Sequence, residues 1–391
     1  MPETSIRVAQ IRGNGLSDRE TKTWEYFPSD INQTVFTTHK NIYYQSSLPF
    51  PMVKVWASTD NILLRHGLKY ALGRYQQLFG LENKLNNFDI AHTGEIYNYY
   101  TYQAVQAKKR NKKLKVVATV WENIFGRFEY NYWPGFSMPP RYWRQALGRI
   151  MKENIDGVDM FLPATQDAAE LLMDYGVPAE RITVVTPGII PTNSDAKSAL
   201  PPAFLGKEVY LMVNRLVKEK GVYEILYGWR LYLRKAGNPA NKVLAIVGDG
   251  PERQNMERLV REWNLGQHII FTRQVPYQEM LGLYKGAICL ILGSMPLPSW
   301  QEQFGYVLAE AICADVPIIA ASSGAIPEVV GKSGLLVPPA HPIALSQALV
   351  RLEDPAVYQM LKQGCTAEKK KFDIYTYADK VSSIYRSLVH V

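Results

Sequence analysis

Short runs of apolar and β-branched residues alternate with longer amphipathic stretches along the chain of 391 residues. Such runs are typical of strands buried on both faces, and the amphipathic stretches are typical of helices that cover a parallel sheet. The pattern therefore predicts an α/β protein. The predicted strands are Ile6–Ile11, Gln33–Thr37, Met52–Trp56, Asp89–His92, Leu114–Val120, Met160–Ala164 and Ile182–Val185 in the first half, and Val209–Val213, Val243–Val247, Ile269–Phe271, Ile288–Leu292, Ile318–Ala321 and Gly334–Val337 in the second.

A segment without periodicity separates the two sets of strands. Residues 187–202 are rich in proline and small polar side chains, a composition that favours a linker. We predict a first domain over residues 1–190, a linker over 191–205 and a second domain over 206–371, with a C-terminal helix over about 372–391 that packs back on the first domain. Open α/β sheets bind ligands at the carboxyl ends of their strands. The active site is therefore expected between the two domains.

Composition limits the class and the compartment of the protein. An apolar fraction of 47% with 20% charged residues is typical of a folded globular chain. The cysteines Cys289, Cys313 and Cys365 form no C-x-x-C pair, which favours a reducing cytosol over a metal or redox site. The N-terminal residues do not resemble a signal peptide, and no run of about 18 apolar residues occurs. A cytoplasmic protein is expected, either dissolved or peripheral at the inner face of a membrane.

The formal net charge of +8 favours an anionic partner. The densest basic run is Lys108–Lys115, where a predicted helix ends. Cations near the last carbonyl groups of a helix are favourable, so this run is either a solvated helix end or a surface that faces a membrane. A nucleic-acid binder is disfavoured because the basic residues are spread over both halves.

Segment 299–320 contains two glutamates whose spacing bears on function. Glu302 precedes a helix predicted to begin at about Gly305, and Glu310 lies within that helix. Eight helical steps would separate them by about 12 Å along the axis, whereas the paired carboxyl groups of glycoside hydrolases lie roughly 5–9.5 Å apart. The two glutamates are therefore not expected to form an acid/base pair.

The helix start between the two glutamates favours an extended anionic ligand. Backbone N–H groups of Phe304, Gly305, Tyr306 and Val307 can bind an anion. Carboxylates on either side can accept hydrogen bonds from hydroxyl groups, so a sugar diphosphonucleoside has a suitable shape. Taken alone, the segment leaves open that both glutamates are merely surface residues.

Three further segments adjoin carboxyl ends of the predicted strands of the second domain. Arg215 and Lys220 follow the first of these strands, and two cations can neutralise a diphosphate. A Gly-Asp-Gly turn at residues 248–250 ends the next strand, and residues 321–330 repeat the order strand, turn and helix. Together the four segments predict a ligand site at one edge of the second sheet.

Together these four segments closely resemble the family-four glycosyltransferases of the GT-B fold, over the whole second domain and the end of the first. The resemblance implies two Rossmann-like doubly wound domains that face each other across a cleft. It implies that Arg215 and Lys220 bind the donor diphosphate, that Glu302 contacts hydroxyls of the transferred sugar and that Glu310 holds the ribose. It also implies retention of the anomeric configuration. The loop with Gln274 and Val275 lies where relatives cradle the nucleotide base.

In the first domain the resemblance is looser. Gly13 and Gly15 lie in a segment similar to the family's glycine loop, which approaches the donor closely; an ordinary glycine turn is the alternative. After strand Leu114–Val120 many relatives have Thr-Val-His, whereas this chain has Trp121, Glu122 and Asn123 in place of the histidine region. These three residues are candidate acceptor or sugar contacts. His92 is another candidate, with a structural role as the alternative.

Two aromatic segments of the first domain, residues 97–102 and 125–136, predict a surface that binds the acceptor. Aromatic faces can stack on sugar rings or contact an acyl or polyprenyl chain, while helix packing and a rigid surface loop are the alternatives. The acceptor is expected to be a glycan, a lipid-linked sugar or a small molecule.

No D-x-D triplet occurs, so no metal ion and no other cofactor is predicted. The sequence thus predicts a metal-independent hexosyltransferase that uses a UDP- or GDP-linked sugar. A sugar-nucleotide epimerase on the same fold and a non-catalytic nucleotide-sugar-binding protein are the alternatives. An NAD-dependent enzyme is disfavoured because neither half has a G-x-G-x-x-G turn.

Overall fold

A computed structural model describes most of the protein. The described residues are 5–40, 49–61, 76–124, 141–190, 204, 206–237, 239–273, 275, 277–298 and 300–389, with the backbone alone over 141–146 and 277–278. They divide into two compact units, one within Met1–Ile190 and Ile374–Val391 and the other within Pro191–Asp373. The last helix of the chain therefore belongs to the first unit.

The first unit is a parallel sheet with helices. Its strands are β1 (Ile6–Gly13), β2 (Ile31–Thr38), β3 (Met52–Val55), β4 (Ile90–Gly94), β5 (Lys115–Val120) and β6 (Met160–Pro163), in the spatial order β3-β2-β1-β4-β5-β6. Its helices are α1 (Asp18–Trp24), α2 (Leu81–Lys84), α3 (Tyr99–Arg110), α4 (Arg141–Gly157) and α5 (Gln166–Asp174), together with the C-terminal α13 (Ile374–Val389).

The second unit repeats this plan. Its strands are β7 (Glu208–Val213), β8 (Lys242–Val247), β9 (Ile269–Thr272), β10 (Ala287–Leu292), β11 (Ile318–Ala321) and β12 (Gly334–Val337), in the order β12-β11-β10-β7-β8-β9. Its helices are α6 (Val222–Lys235), α7 (Arg253–Glu262), α8 (Tyr277–Lys285), α9 (Tyr306–Cys313), α10 (Ile326–Val330), α11 (Pro342–Leu352) and α12 (Pro355–Glu368).

Both sheets have the doubly wound order of a dinucleotide-binding fold, which confirms the predicted α/β class. The order reverses between β1 and β4 in the first sheet and between β7 and β10 in the second. The crevice outside the carboxyl ends of the strands at such a reversal is where these sheets bind ligands. A ligand site of the second unit is therefore expected at the loops that follow β7 and β10.

Helix α13 covers one face of the first sheet. Its fully buried residues Val381 and Tyr385 pack against Val8, Ile90 and Val117 of the central strands. Arg386 makes two hydrogen bonds of 2.8 Å to the carboxylate of Asp30 at the start of β2. Burial of an apolar face is the main source of stability for such a helix. The core of the first unit therefore includes residues of α13.

The predicted strand Ile182–Val185 is wrong. Ile182 forms one isolated bridge to Phe161 of β6, and the backbone then runs alongside β6, with Val185 donating to the carbonyl oxygen of Pro163 at 2.9 Å. A parallel ladder would next require the N–H group of residue 163, and proline has none. The apolar segment is extended, but the missing donor prevents a strand.

No helix among the described residues is both long and apolar enough to cross a membrane.

Candidate active site

The loops that follow β7 and β10 touch at the reversal point of the second sheet. Gly221 has a left-handed φ of +63°, and a Cβ atom built on it would lie 1.9 Å from the carbonyl oxygen of Gly293. Only glycine adopts this conformation without strain and also allows such an approach. The contact brings Lys220, on one loop, beside Ser294, on the other.

Lys220 and Glu302 form an ion pair in this place. The Lys220 ammonium lies 2.7 Å from Oε2 of Glu302, and the Ser294 hydroxyl donates to the same oxygen at 2.6 Å. The ammonium also lies 4.7 Å from the centre of the Trp300 ring. Glu302 is only 7% exposed, and a carboxylate at that depth requires a charge partner and hydrogen bonds. The sequence-based alternative of Glu302 as an exposed surface residue is therefore wrong.

The loop after β11 holds the backbone of Glu302. Ala325 donates its N–H to the Glu302 carbonyl at 2.9 Å. A Cβ atom on Gly324, whose φ is +52°, would lie 2.2 Å from the same oxygen. Glu302 is thus held by its side chain against the β7 and β10 loops and by its backbone against the β11 loop.

Helix α9 starts next to this carboxylate. Gly305 opens it with a φ of +77°, and no side chain in the described part of the chain caps it there. Phe304 is buried and packs edge-to-face on Tyr306 and Phe372, with ring centres 5.1 and 6.1 Å apart. The Phe304 side chain is therefore part of the core, and its predicted role in anion binding concerns the backbone alone.

Glu310 lies further along α9 and is also buried. The Tyr284 hydroxyl on α8 donates to its Oε2 at 2.8 Å. The alternative of an exposed Glu310 is wrong, because two helices enclose this carboxylate.

The two predicted cations differ in their surroundings. The side chain of Arg215 is 71% exposed, and its nearest acid is Glu219 at 3.7 Å. Its loop is fixed to the β8 loop, since Leu216 donates to the Asp249 carbonyl at 2.9 Å. The structure therefore brings Lys220 and Glu302 together and leaves Arg215 at the surface. Of the two residues predicted near the base, Val275 is partly buried and Gln274 lies outside the described residues.

In the first unit, Gly13 approaches a side chain. Its φ is +54°, and a Cβ atom on it would lie 1.9 Å from Oε1 of Gln76, which accepts a hydrogen bond from Asn14 N–H at 3.1 Å. Gly15 has no positive φ, and its Cβ atom would make only an ordinary contact at 3.4 Å. The left-handed φ of Gly13 accounts for glycine there, while the predicted approach of this loop to the donor stays a prediction.

His92 is enclosed at the end of β4. Its Nδ1 lies 2.5 Å from the Tyr385 hydroxyl on α13, and its Nε2 lies 2.7 Å from the Thr119 hydroxyl on β5. Burial lowers the pKa of His92 well below its ordinary value, and the charge of Arg12 lowers it further. The imidazole is therefore neutral and holds β4, β5 and α13 together. A sugar contact would first require one of these two bonds to break.

This burial predicts acid sensitivity of the first unit. Below about pH 6.5 the unfolded chain binds a proton at His92 that the folded chain does not, so the free energy of unfolding falls by up to about 1.4 kcal/mol per pH unit. Melting temperatures from about pH 8 to about pH 5 should fall less steeply for His92→Gln than for the wild type. His341→Asn, which alters an exposed helix cap, is the control; equal slopes for His92→Gln and the wild type would contradict the prediction.

Glu95 is a residue of the first unit that the sequence analysis did not single out. It is buried, follows β4 directly and has a φ of 63°, which is rare outside glycine. Its Oε1 accepts the N–H of Trp121 at 2.9 Å. The available signal was its position at the end of a central strand, just after Gly94. Of the candidates beside it, Trp121 is partly exposed, whereas Glu122 and Asn123 are buried.

Part of the basic run is structural. Lys108 lies 2.8 Å from Asp159, and Lys109 pairs with Glu153, while Arg110, Lys112 and Lys113 are exposed. Lys108 and Lys109 thus join the end of α3 to acidic side chains on and after α4.

Of the two aromatic segments, residues 97–102 lie in the described part of the chain. Tyr100 is buried and accepts a hydrogen bond of 2.6 Å from Asn98, and the rings of Tyr99 and Tyr102 lie 5.2 Å apart. Helix packing therefore accounts for Tyr100. Segment 125–136 lies outside the described residues. Across the described part of the chain, no three His, Cys, Asp or Glu residues are grouped as metal ligands would be.

Two Rossmann-like units, one with an ion pair at the reversal point of its sheet, are the arrangement expected of the GT-B fold. The family model described as "Glycosyl transferases group 1" matches residues 194–364, and that described as "Glycosyltransferase Family 4" matches residues 34–193. The chain belongs to glycosyltransferase family 4, as its resemblance predicted.

Curated relatives are similar over part of the chain. A D-inositol 3-phosphate glycosyltransferase of Streptomyces bingchenggensis is 27% identical over 62% of this chain and 56% of its own length. A 2-deoxystreptamine glucosyltransferase of Streptomyces kanamyceticus is 30% identical over 48% of this chain and 50% of its own length. The chain therefore spans about half the length of these relatives.

Solved structures share the fold over nearly the entire chain. The Anabaena protein HepE in complex with UDP has a TM-score of 0.72 at 14% identity, covering 98% of this chain and 100% of that one. Sucrose-phosphate synthase of Thermosynechococcus elongatus has a TM-score of 0.71 at 20% identity, covering 98% and 99%. Identities this low establish the GT-B fold alone.

Proposed function

We propose that this protein is a retaining hexosyltransferase that moves a hexose from a UDP- or GDP-linked sugar to a hydroxyl group of a glycan, a glycolipid or a small molecule. The observation that carries the proposal is the ion pair of the partly buried Lys220 with the buried Glu302 at the reversal point of the second sheet. The pair combines one group suited to a phosphate with one suited to a sugar hydroxyl.

The distance within this pair favours a particular point on the donor. If Lys220 binds the diphosphate and Glu302 binds the sugar, a separation of 2.7 Å requires both to act where the sugar joins the phosphate. That C–O bond is the one that breaks during transfer. Ser294 and the β11 loop hold the carboxylate in place, as differential binding of a transition state requires.

The charge that develops on the leaving nucleoside diphosphate would be stabilised by fixed groups of the protein. Lys220, the exposed side chain of Arg215 and the start of α9 at Gly305 supply positive charge and N–H dipoles. As the bond from the anomeric carbon to the diphosphate breaks, the acceptor oxygen bonds to the same face of that carbon. Its proton passes to a donor phosphate oxygen. Neither a covalent intermediate nor a metal ion enters this proposal.

Two buried polar side chains at the same sheet edge support a polar ligand. Among the described residues, the two polar atoms of the Asn214 amide have no hydrogen-bond partner, and the Ser323 hydroxyl has none either. Asn214 directly follows β7, and Ser323 lies in the loop after β11. An unsatisfied buried polar group costs about 1–3 kcal/mol, and hydrogen bonds to phosphate or sugar oxygens would remove that cost.

The comparisons favour a nucleotide sugar, with uridine as the first base to test. HepE has been solved with UDP and with UDP-glucose, and the curated relatives are named as a D-inositol 3-phosphate glycosyltransferase and a 2-deoxystreptamine glucosyltransferase. These names support a hydroxylated acceptor.

A thermal-shift screen of nucleoside diphosphates and their sugars tests the proposal. A ligand at about 100 times its dissociation constant should stabilise the folded state by about 2.7 kcal/mol, and we expect UDP or GDP to do so in the presence of EDTA. Product analysis with the matching donor then distinguishes transfer from epimerisation. The absence of stabilisation by any nucleoside diphosphate would contradict the proposal, and loss of turnover on addition of EDTA would contradict its metal-free part.

A further inference from the structure

Three aromatic side chains lie at the surface of the first unit, close to the carboxyl ends of two strands. Trp56 directly follows β3 and is 61% exposed, and Phe79 is 49% exposed. His39 directly follows β2, is exposed, and stacks on Trp56 with ring centres 4.2 Å apart and planes inclined by 24°. Exposed apolar side chains that are grouped, unlike single ones, can mark a binding surface.

The backbone holds Trp56 and Phe79 beside each other. Ala57 and Leu78 form an antiparallel bridge, and Phe79 donates its N–H to the Trp56 carbonyl at 2.9 Å. Ala57 and Leu78 are buried, whereas Trp56 and Phe79 are exposed. Cross-strand neighbours lie about 5 Å apart at their Cβ atoms, so the two rings present one surface.

The loop that carries Trp56 is fixed by hydrogen bonds. The Asp60 carboxylate accepts the N–H of Ala57 at 2.8 Å, the Lys40 ammonium donates to the Asp60 carbonyl at 2.9 Å, and Gln76 donates to the Thr59 hydroxyl at 2.8 Å. With His39 against one face of the indole, Trp56 needs little further ordering before it binds a ligand. Low ordering cost is what makes a preorganised aromatic residue effective in recognition.

We propose that Trp56, supported by His39 and beside Phe79, binds a pyranose ring of a saccharide acceptor; this proposal rests on the function proposed above. A pyranose has a face of C–H groups that suits the negative face of an indole ring. The neighbours Lys40 and Thr59 carry hydrogen-bonding groups, which suit the hydroxyls at the ring edge and not acyl chains. Strands β2 and β3 end at the ligand-binding edge of the first sheet.

Saturation-transfer NMR with the full chain tests this assignment. The probes are the methyl pyranosides of glucose, galactose and mannose and the disaccharides maltose and lactose, with glycerol as the polyol control. We expect at least one saccharide to bind through its C–H face, Trp56→Ala to weaken that binding by about tenfold, and Trp56→Phe to retain most of it. Tyr227→Ala is the matched control, because Tyr227 is also exposed and packs on another aromatic ring, that of Trp263.

Other outcomes would overturn the assignment. They are no binding of any of these saccharides to the wild type, equal binding by the wild type and Trp56→Ala, or Trp56-dependent binding to phosphatidylglycerol vesicles without saccharide binding. Stabilisation by nucleoside diphosphates is measured on the same variants and should be unchanged. A failure of the donor site therefore appears in the thermal shifts, and a failure of the acceptor surface appears in the NMR spectra.

Discussion

Replacement of Glu302 by glutamine should reduce sugar transfer by about a hundredfold or more, while nucleoside diphosphate binding changes little. The carboxylate accepts hydrogen bonds from Lys220 and Ser294, and we place it against hydroxyls of the transferred sugar. Glutamine keeps the shape of the side chain but removes the charge and turns an N–H group towards Lys220 or the sugar. Loss of one preorganised polar contact to a transition state typically costs about 10²–10³ in rate.

Transfer kinetics and thermal shifts with UDP or GDP measure the two effects separately. Glu310→Gln should weaken nucleoside diphosphate binding as well, since we place Glu310 on the ribose. Glu262→Gln is the matched control, because the one ion pair of Glu262 among the described residues is an exposed contact with Arg258 at 3.7 Å. The assignment is contradicted if Glu302→Gln and Glu310→Gln weaken diphosphate binding to the same extent.

Replacement of Gly221 by alanine should destabilise the second unit by about 2–4 kcal/mol, since it combines left-handed strain with overpacking. The new methyl group would lie 1.9 Å from the Gly293 carbonyl oxygen, so the β7 and β10 loops must move apart. Because Lys220 directly precedes Gly221, its ammonium would move away from Ser294 and from the Glu302 carboxylate. We therefore expect a loss of transfer of about a hundredfold in the fraction that remains folded.

Gly237→Ala separates the two causes. Gly237 has a φ of +72°, but no atom of the described residues lies within 4 Å of its added Cβ atom. Its variant therefore carries the backbone strain alone, about 1–2 kcal/mol. Melting temperature and specific activity should both fall further for Gly221→Ala. Equal losses in the two variants would show that contact between the loops does not position Lys220.

Most of the fold could be predicted from the sequence because its information is local. Apolar runs such as Val243–Val247 and Ile318–Ala321 are buried on both faces of a parallel sheet, so each predicts a strand without knowledge of its neighbours. The prediction of a strand at Ile182–Val185 was wrong for a reason that lies outside the segment, since the missing N–H group belongs to residue Pro163 of β6. The same pattern in front of a different neighbour would have extended the sheet.

The candidate site divides in the same way. Glu302, Gly305 and Glu310 could be named from one continuous segment, because a helix start and its flanking carboxylates are close in sequence. The sequence predicts Trp56 as the last residue of a strand, whereas it lies beyond the end of β3. Its exposure depends on the bridge between Ala57 and Leu78. Its stacking on His39 joins two different strand ends, which periodicity does not reveal.

The sequence by itself determined the α/β class, the succession of strands and helices along the chain, and the residue types available for a phosphate and a sugar. The reason is that periodicity and motif spacing are properties of neighbouring residues. Only the tertiary structure decided which of those residues lie in contact with one another. Arg215 and Lys220 look equivalent in the sequence, yet Lys220 alone lies within 2.7 Å of Glu302, because two glycines let the loops after β7 and β10 touch. Burial likewise decided that His92 is neutral and held between Tyr385 and Thr119, since the residue that encloses it comes from the far end of the chain.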